Sequence, residues 1–231
     1  MLDFQQHKIQ LEENGFSITE AIFSHSEVEC LKELIEKPKE TYAVRQLLNK
    51  HPQIKEKLFE NKKFQELVKT ICGTKYFITK GIYFNKPAQS NWFVGYHQDI
   101  SISAKNKIVS EGYTNWTNKK GQLGVIPPPT ILEQTVTIRI HLDDTDKTNG
   151  ALKVIPKSHK NGIIRVDQNF TIKNLEKEVV CKVKKGSVML MKPLLLHASS
   201  KSTAKQDRGV IHIELCNEEI PMEWLEKKKI I

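Results

Sequence analysis

The sequence predicts a mainly β fold, an antiparallel barrel or sandwich, with a helical layer at its N-terminal end. Three observations carry this. Apolar residues recur at spacings of three and four up to about residue 72, then at a spacing of two from Lys75 onward. The later runs are short and are separated by turn signals such as "TNGA" and "KKGS", which favour antiparallel pairing over βαβ units. A chain of 231 residues can also bury a sizeable core within a single domain.

Residues 1–74 form the predicted helical layer. "SITEAIFSHSEVECLKELIEK" opens with capping residues and keeps helical spacing, and "HPQIKEKLFENKKFQELVKTICG" has Pro52 near its start and Gly73 just past its end. Residues 75–217 hold the predicted β core, in the runs "KYFITKGIYFNKP", "TVTIRIHLDD", "ALKVIP", "EVVCKVKKGSVMLMKP" and "GVIHIELC". Within it, residues 104–133 read as a long insertion containing Gly and Pro, a lid, a binding loop or a disordered excursion. Residues 218–231 read as a basic tail.

Composition excludes several classes. No apolar run approaches the roughly 20 residues of a membrane span, and the N-terminus lacks a basic-then-apolar signal pattern, so a cytoplasmic protein without a membrane partner is expected. Cys30, Cys72, Cys181 and Cys216 are far apart and suggest neither a zinc knuckle nor a disulfide framework. The formal charge of +9 comes largely from scattered lysines, so a solvated basic surface is expected rather than a nucleic-acid footprint.

The chemistry begins at "YHQDISI". Residues two apart on a strand project from the same face, so His97 and Asp99 enter one space. An Fe(II) site of the two-histidine, one-carboxylate kind takes three protein ligands and leaves positions open for cosubstrate and oxygen. His197, closing the apolar run "LMKPLLLH", is the best third ligand. Eleven positions further on, Arg208 opens a strand, and its planar fork suits a carboxylate of a diacid such as 2-oxoglutarate. His197 as a satisfied core histidine and Arg208 as a surface residue stay open alternatives. In "TVTIRIHL", Thr135, Thr137, Arg139 and His141 share one face, which is either solvated or the lining of a cavity.

The order "FNKPAQSNWFVGYHQD", "TIRIHLDDTDKTNGALKVIPKSHK" and "KKGSVMLMKPLLLHASSKSTAKQDRG" resembles the phytanoyl-CoA dioxygenase family of Fe(II)/2-oxoglutarate oxygenases, over roughly Lys75 to Cys216. The resemblance implies a double-stranded β-helix, a cupin-type jelly roll, flanked by the N-terminal helices. It implies iron held by His97, Asp99 and His197, with 2-oxoglutarate and O2 as cosubstrates. Arg208 and Ser199 would hold the distal carboxylate of 2-oxoglutarate, and Lys80 and Thr137 fall at positions that reach the cosubstrate. Gln98 and Trp116 in the lid would be substrate contacts, and Arg139, where some relatives carry tryptophan, would contact an anionic substrate or the cosubstrate itself. The expected function is hydroxylation of an unactivated C–H bond of a small-molecule substrate. A non-catalytic jelly-roll binding protein, a nucleic-acid-directed oxygenase and a zinc hydrolase are the rival readings.

Overall fold

In the computed structural model, residues 3–35, 42–88, 92–119, 121–164 and 177–230 are described. The chain opens with α1 (Phe4–Asn14), capped by Asp3, whose carboxylate accepts from the Gln5 N–H at 3.0 Å. Gly15, at φ 84°, ends it in the left-handed conformation a helix stop requires. Next come β1 (Phe16–Ala21), α2 (His25–Glu33), β2 (Ala43–Arg45), α3 (Leu47–Lys50), α4 (Pro52–Glu60) and α5 (Lys62–Cys72).

This start corrects the sequence reading at one element. "FSITEA" is a strand, not the first turn of a helix, and β1 pairs antiparallel with β11 (Ser187–Met191). The helix begins later because the capping box is made by Ser24 and Glu27, which exchange side-chain and main-chain hydrogen bonds. Residues 1–74 are therefore a helical layer with two strands in it.

From Phe77 the chain is almost all strand. β3 (Phe77–Lys86), β8 (Thr135–His141), β11 and β13 (Arg208–Cys216) form the centre of a seven-stranded sheet in the order β1-β11-β8-β13-β3-β14, with β14 being Lys228–Lys229 and β2 also on β3. β4 (Val94–His97), β9 (Leu152–Val154), β10 (Val179–Val180) and β12 (His197–Ser199) form a four-stranded sheet in the order β10-β9-β12-β4. The pairs are antiparallel, and the two sheets are those of a cupin-type jelly roll.

Within 104–133 the described residues include regular elements. β5 (Ile102–Ala104), β6 (Thr114–Lys119) and β7 (Gln122–Ile126) make a three-stranded sheet, followed by α6 (Pro129–Glu133). The basic C-terminal stretch packs on the rest of the chain. Trp224 is buried, β14 extends the large sheet, and the buried Glu226 carboxylate accepts the Gly81 N–H at 2.8 Å. Among the described residues no helix is long and apolar enough to cross a membrane.

Alternation in the central strands separates core from site. Val136, Ile138, Ile140 and Leu142, with Val188, Leu190, Ile211, Ile213 and Leu215, join Leu11, Val28, Leu31, Leu58, Phe64 and Leu67 of the helices in the main core. Every residue of β8 is buried, so its polar face is internal rather than solvated. That face looks toward the small sheet.

Candidate metal centre and anion pocket

Both histidines of the small sheet are oriented by their own backbone. The His97 Nδ1 lies 2.9 Å from the Gly95 carbonyl, and the His197 Nδ1 lies 2.8 Å from the Leu195 carbonyl. A carbonyl oxygen can only accept, so each Nδ1 carries the proton and each Nε2 keeps its lone pair. β12 pairs with β4 so that His197 stands directly opposite His97, with ring centroids 4.2 Å apart. The two Nε2 atoms face the Asp99 carboxylate at 3.9 and 3.8 Å, beyond hydrogen-bond range.

Two lone pairs and a carboxylate aimed at one point, with no proton between them, repel one another unless a cation sits there. The ligand atoms of His97, Asp99 and His197 lie within 4.8 Å of one another, a spacing one ion can satisfy. Burial pushes the His197 pKa down to about 4 against the pull of Asp99, which keeps its ring neutral. Burial pushes the Asp99 carboxyl up, but His197, His212, His97 and Lys80 outweigh it and hold it at about 2.

A second cluster, Asp99 with His212 and Glu214, is equally compact. Its chemistry differs. Arg139 Nη1, always a donor, lies 3.1 Å from His212 Nδ1, so the His212 proton is on Nε2 and is given to Glu214 at 3.2 Å. Glu214 is further neutralised by Lys80 at 2.8 Å. His212 has no lone pair left for a metal, and the first cluster is the metal-competent one.

The triad opens into a cavity of about 580 Å³ that also reaches Arg208, Ser199 and Lys86. Lys86 and Arg208 stand opposite each other in the register of β3 and β13. Lys86 is 1% exposed, and its ammonium donates to Ser199 Oγ at 2.9 Å and to the Ser200 carbonyl. Burial, with Arg208 nearby, lowers its pKa to about 8. Arg208 donates through Nη2 to the Gly150 carbonyl at 3.2 Å, while its Nε, though buried, has no partner among the described residues. Gly150, at φ 78°, carries no side chain for a clear reason: a Cβ there would lie 2.6 Å from the Lys86 Nζ. Two buried cations beside a hydroxyl, with no ion-paired carboxylate among the described residues, make a site for an anion.

The other sequence candidates fall in different places. Lys80 lines the cavity, bound to Glu214 and to the Ser101 carbonyl at 2.9 Å. Arg139 lines it as well. Thr137 is fully buried, does not border the cavity, and its hydroxyl lacks a partner among the described residues. Gln98 borders the cavity, but its carboxamide is spent on structure: it donates to the Gly162 and Leu194 carbonyls at 2.9 and 2.6 Å and accepts from the Ile164 N–H at 2.8 Å. These bonds tie the residue between His97 and Asp99 to Gly162, Ile164 and Leu194. Trp116 lies on β6, outside the residues that border the cavity. It packs on Ile102, Val125 and their neighbours, while Thr117 and Lys119 of the same strand border the cavity. Lys86 and Glu214 were not singled out by the sequence. The signal was available in the period of two, which puts Lys86 on one face with Lys80 and puts His212 and Glu214 on one face with Arg208.

Fold and site together describe a jelly-roll protein with a candidate two-histidine, one-carboxylate metal site beside a cluster of buried cations. The chain belongs to the phytanoyl-CoA dioxygenase family, which matches residues 11–210. Similar solved structures include AviO1 from Streptomyces viridochromogenes Tue57, with TM-score 0.66, 16% identity, and 96% of this chain and 99% of that chain covered. EctD from S. alaskensis in its apoform gives 0.68 and 16%, over 96% and 80% of the two chains. EvdO2 from Micromonospora carbonacea var. aurantiaca, complexed with 2-oxoglutarate, gives 0.65 and 14%, over 100% and 96%. At these identities the likeness shows the fold. No curated protein matches the chain in sequence.

Proposed function

We propose that this protein is an Fe(II)- and 2-oxoglutarate-dependent oxygenase that hydroxylates an unactivated C–H bond of a small molecule. The observation that carries the reading is the pairing, in one cavity, of three convergent metal-ligand atoms with a separate cluster of buried cations. A keto diacid is the ligand that needs both, because one end chelates a metal while the other end is a carboxylate. His97, Asp99 and His197 hold the iron, and Arg208, Lys86 and Ser199 hold the distal carboxylate. A zinc hydrolase would use the triad but leave Arg208 and Lys86 without a partner.

The balanced reaction consumes 2-oxoglutarate, O2 and R–H and yields succinate, CO2 and R–OH. Iron supplies the activation of O2, which no protein side chain can provide. The chain's own contribution is placement. The jelly roll presents the cosubstrate along the large sheet and leaves the space under β6 and β7, lined by Thr117, Lys119, Gln122 and Leu123, for the substrate. Its size suits a small molecule.

Anaerobic titration of the protein with Fe(II) and 2-oxoglutarate tests this, by the weak visible charge-transfer band of the chelate. The band is expected in the wild type, absent in His97→Ala, and formed only at far higher cosubstrate in Arg208→Ala. Absence of the band in metal-loaded wild type would overturn the reading and favour a binding protein.

A further inference from the structure

The inner face of the large sheet is a ladder of rows, fixed by strand register. Lys86 faces Arg208, and Phe84 faces Val210, which faces His141. Ile82 then faces His212, which faces Arg139, and Lys80 faces Glu214, which faces Thr137. The row of Lys80 is tied to the Ser101 carbonyl just before β5, so it marks the lid end of the cavity. Arg139 therefore lies between the distal anchor and the lid. His212 is four residues from Arg208, about 13 Å along a strand, so the two arginines rise from separate rows of the same inner face and both border the cavity.

Arg139 is 6% exposed and borders the cavity. Its Nη1 is held by His212, its guanidinium lies 5.8 Å over the Phe84 ring, and Phe84 in turn meets the His212 ring edge-on. The guanidinium is thus fixed from two sides, yet Nε has no partner and no carboxylate forms an ion pair with it among the described residues. The carboxylate whose charge acts on it is Asp99, already part of the candidate metal cluster. A buried, oriented and unpaired guanidinium beside the metal ligands requires an anion from outside the chain.

We infer that Arg139 binds the carboxylate of 2-oxoglutarate that adjoins its keto group, so that the two ends of the cosubstrate are held by different arginines. The inference rests on the oxygenase reading. It decides for Arg139 between the substrate and the cosubstrate, which the sequence left open, and assigns it one end of the cosubstrate, and it leaves the Lys80–Glu214 row and the sheet of β5, β6 and β7 to face the substrate.

The test uses anaerobic, Fe(II)-loaded protein and calorimetric binding of three ligands: 2-oxoglutarate, 2-oxopentanoate, which lacks the distal carboxylate, and 4-oxopentanoate, which lacks the carboxylate next to the keto group. Arg139→Met is expected to weaken 2-oxoglutarate and 2-oxopentanoate by about tenfold or more, the usual loss for a charge-assisted hydrogen bond, and to change 4-oxopentanoate less than about twofold. Arg208→Met is expected to show the opposite pattern, sparing 2-oxopentanoate. Arg139→Lys, which keeps the charge, guards against misfolding and should recover part of the affinity. Wild-type affinity for 2-oxoglutarate in both Arg139 variants, or equal loss for all three ligands, would overturn the inference while the oxygenase reading stands. Failure of metal-loaded wild type to bind 2-oxoglutarate would overturn both.

Discussion

A histidine two residues from an acid occurs three times in the strands of this chain, at His97 and Asp99, at His141 and Asp143, and at His212 and Glu214. Spacing alone therefore does not identify the metal ligands. What separates them is the partner of Nδ1: a carbonyl oxygen for His97 and His197, an arginine for His212, and for His141 the Thr145 hydroxyl at 2.8 Å. The two carbonyls lie only two residues back, but which way each ring turns is set by the folded surroundings, so the sequence could rank the triad only by combining His97 and Asp99 with His197 and Arg208. Lys86 was missed for a similar reason, because a lysine before a proline at a strand end looks like a solvated one. Its burial makes it a useful probe. Below about pH 8 it is charged and without a carboxylate partner among the described residues, an unfavourable state that an anionic ligand relieves. Lys86→Met should raise the stability of ligand-free protein at pH 7 by roughly 1–3 kcal/mol while weakening 2-oxoglutarate by about tenfold or more. Denaturant melts and calorimetry would show both, and loss of stability in the variant would contradict the argument. The sign with pH follows from the lowered pKa. Raising the pH through 8 neutralises Lys86, so wild-type affinity for 2-oxoglutarate should fall across that range and the fall should flatten in Lys86→Met. Gly150→Ala should reproduce the loss of affinity indirectly, since its methyl group would displace the Lys86 ammonium and sit at a positive φ.

At the scale of elements, the alternation in β8 was the most informative pattern in the chain. Its polar face could have been solvent-facing, and only the helices packed on Val136, Ile138 and Ile140 make it internal. The first strand was misread for the converse reason. "FSITEA" alternates over so few residues that the helical pattern following it prevailed, and its partner, β11, lies some 170 positions away, as Phe16 pairing with Met191 shows. The sheet of β5, β6 and β7 was hidden by its polarity, since β6 is mostly exposed and carries no apolar alternation. The helix α5 shows the opposite case, where pattern and packing agree. Phe64, Leu67, Val68 and Ile71 recur at helical spacing and are buried against the outer face of the large sheet, away from the cavity. Leu67→Ala should cost about 2–5 kcal/mol, read as a lower unfolding midpoint. Its affinity for 2-oxoglutarate below that midpoint should stay at the wild-type value, because the helix supports the sheet from the side opposite the site. A matching loss of affinity would mean that the inner face deforms with the core.

At the scale of the whole molecule, the site is the seam between two sheets. His97 and His197 belong to the small sheet, whereas Arg208, Arg139 and Lys86 project from the large one. Without ligands, one side of the seam presents converging lone pairs and the other presents buried cations, so neither sheet gains from closing on the other there. The hydrophobic contacts of Leu152, Val154, Cys181, Met189 and Met191 hold the sheets together elsewhere. A metal ion and a dianion together satisfy both sides, and because the chelating end of the dianion needs the metal, their effects on stability should be coupled rather than additive. A ligand at a hundred times its dissociation constant stabilises the native state by about 2.7 kcal/mol, which for a chain of this size raises the melting temperature by roughly 5–10 °C. Fe(II) or a redox-inert divalent substitute with 2-oxoglutarate is therefore expected to produce a shift of that order. 2-Oxoglutarate alone should produce a much smaller one, resting on Arg208 and Lys86, and a chelator should return the combined shift to that smaller value. His97→Ala should abolish the coupling while leaving the small shift, since it removes a metal ligand and touches none of the cations. Equal shifts with and without metal would show that the dianion binds as a simple anion, and that the two sides of the seam act independently.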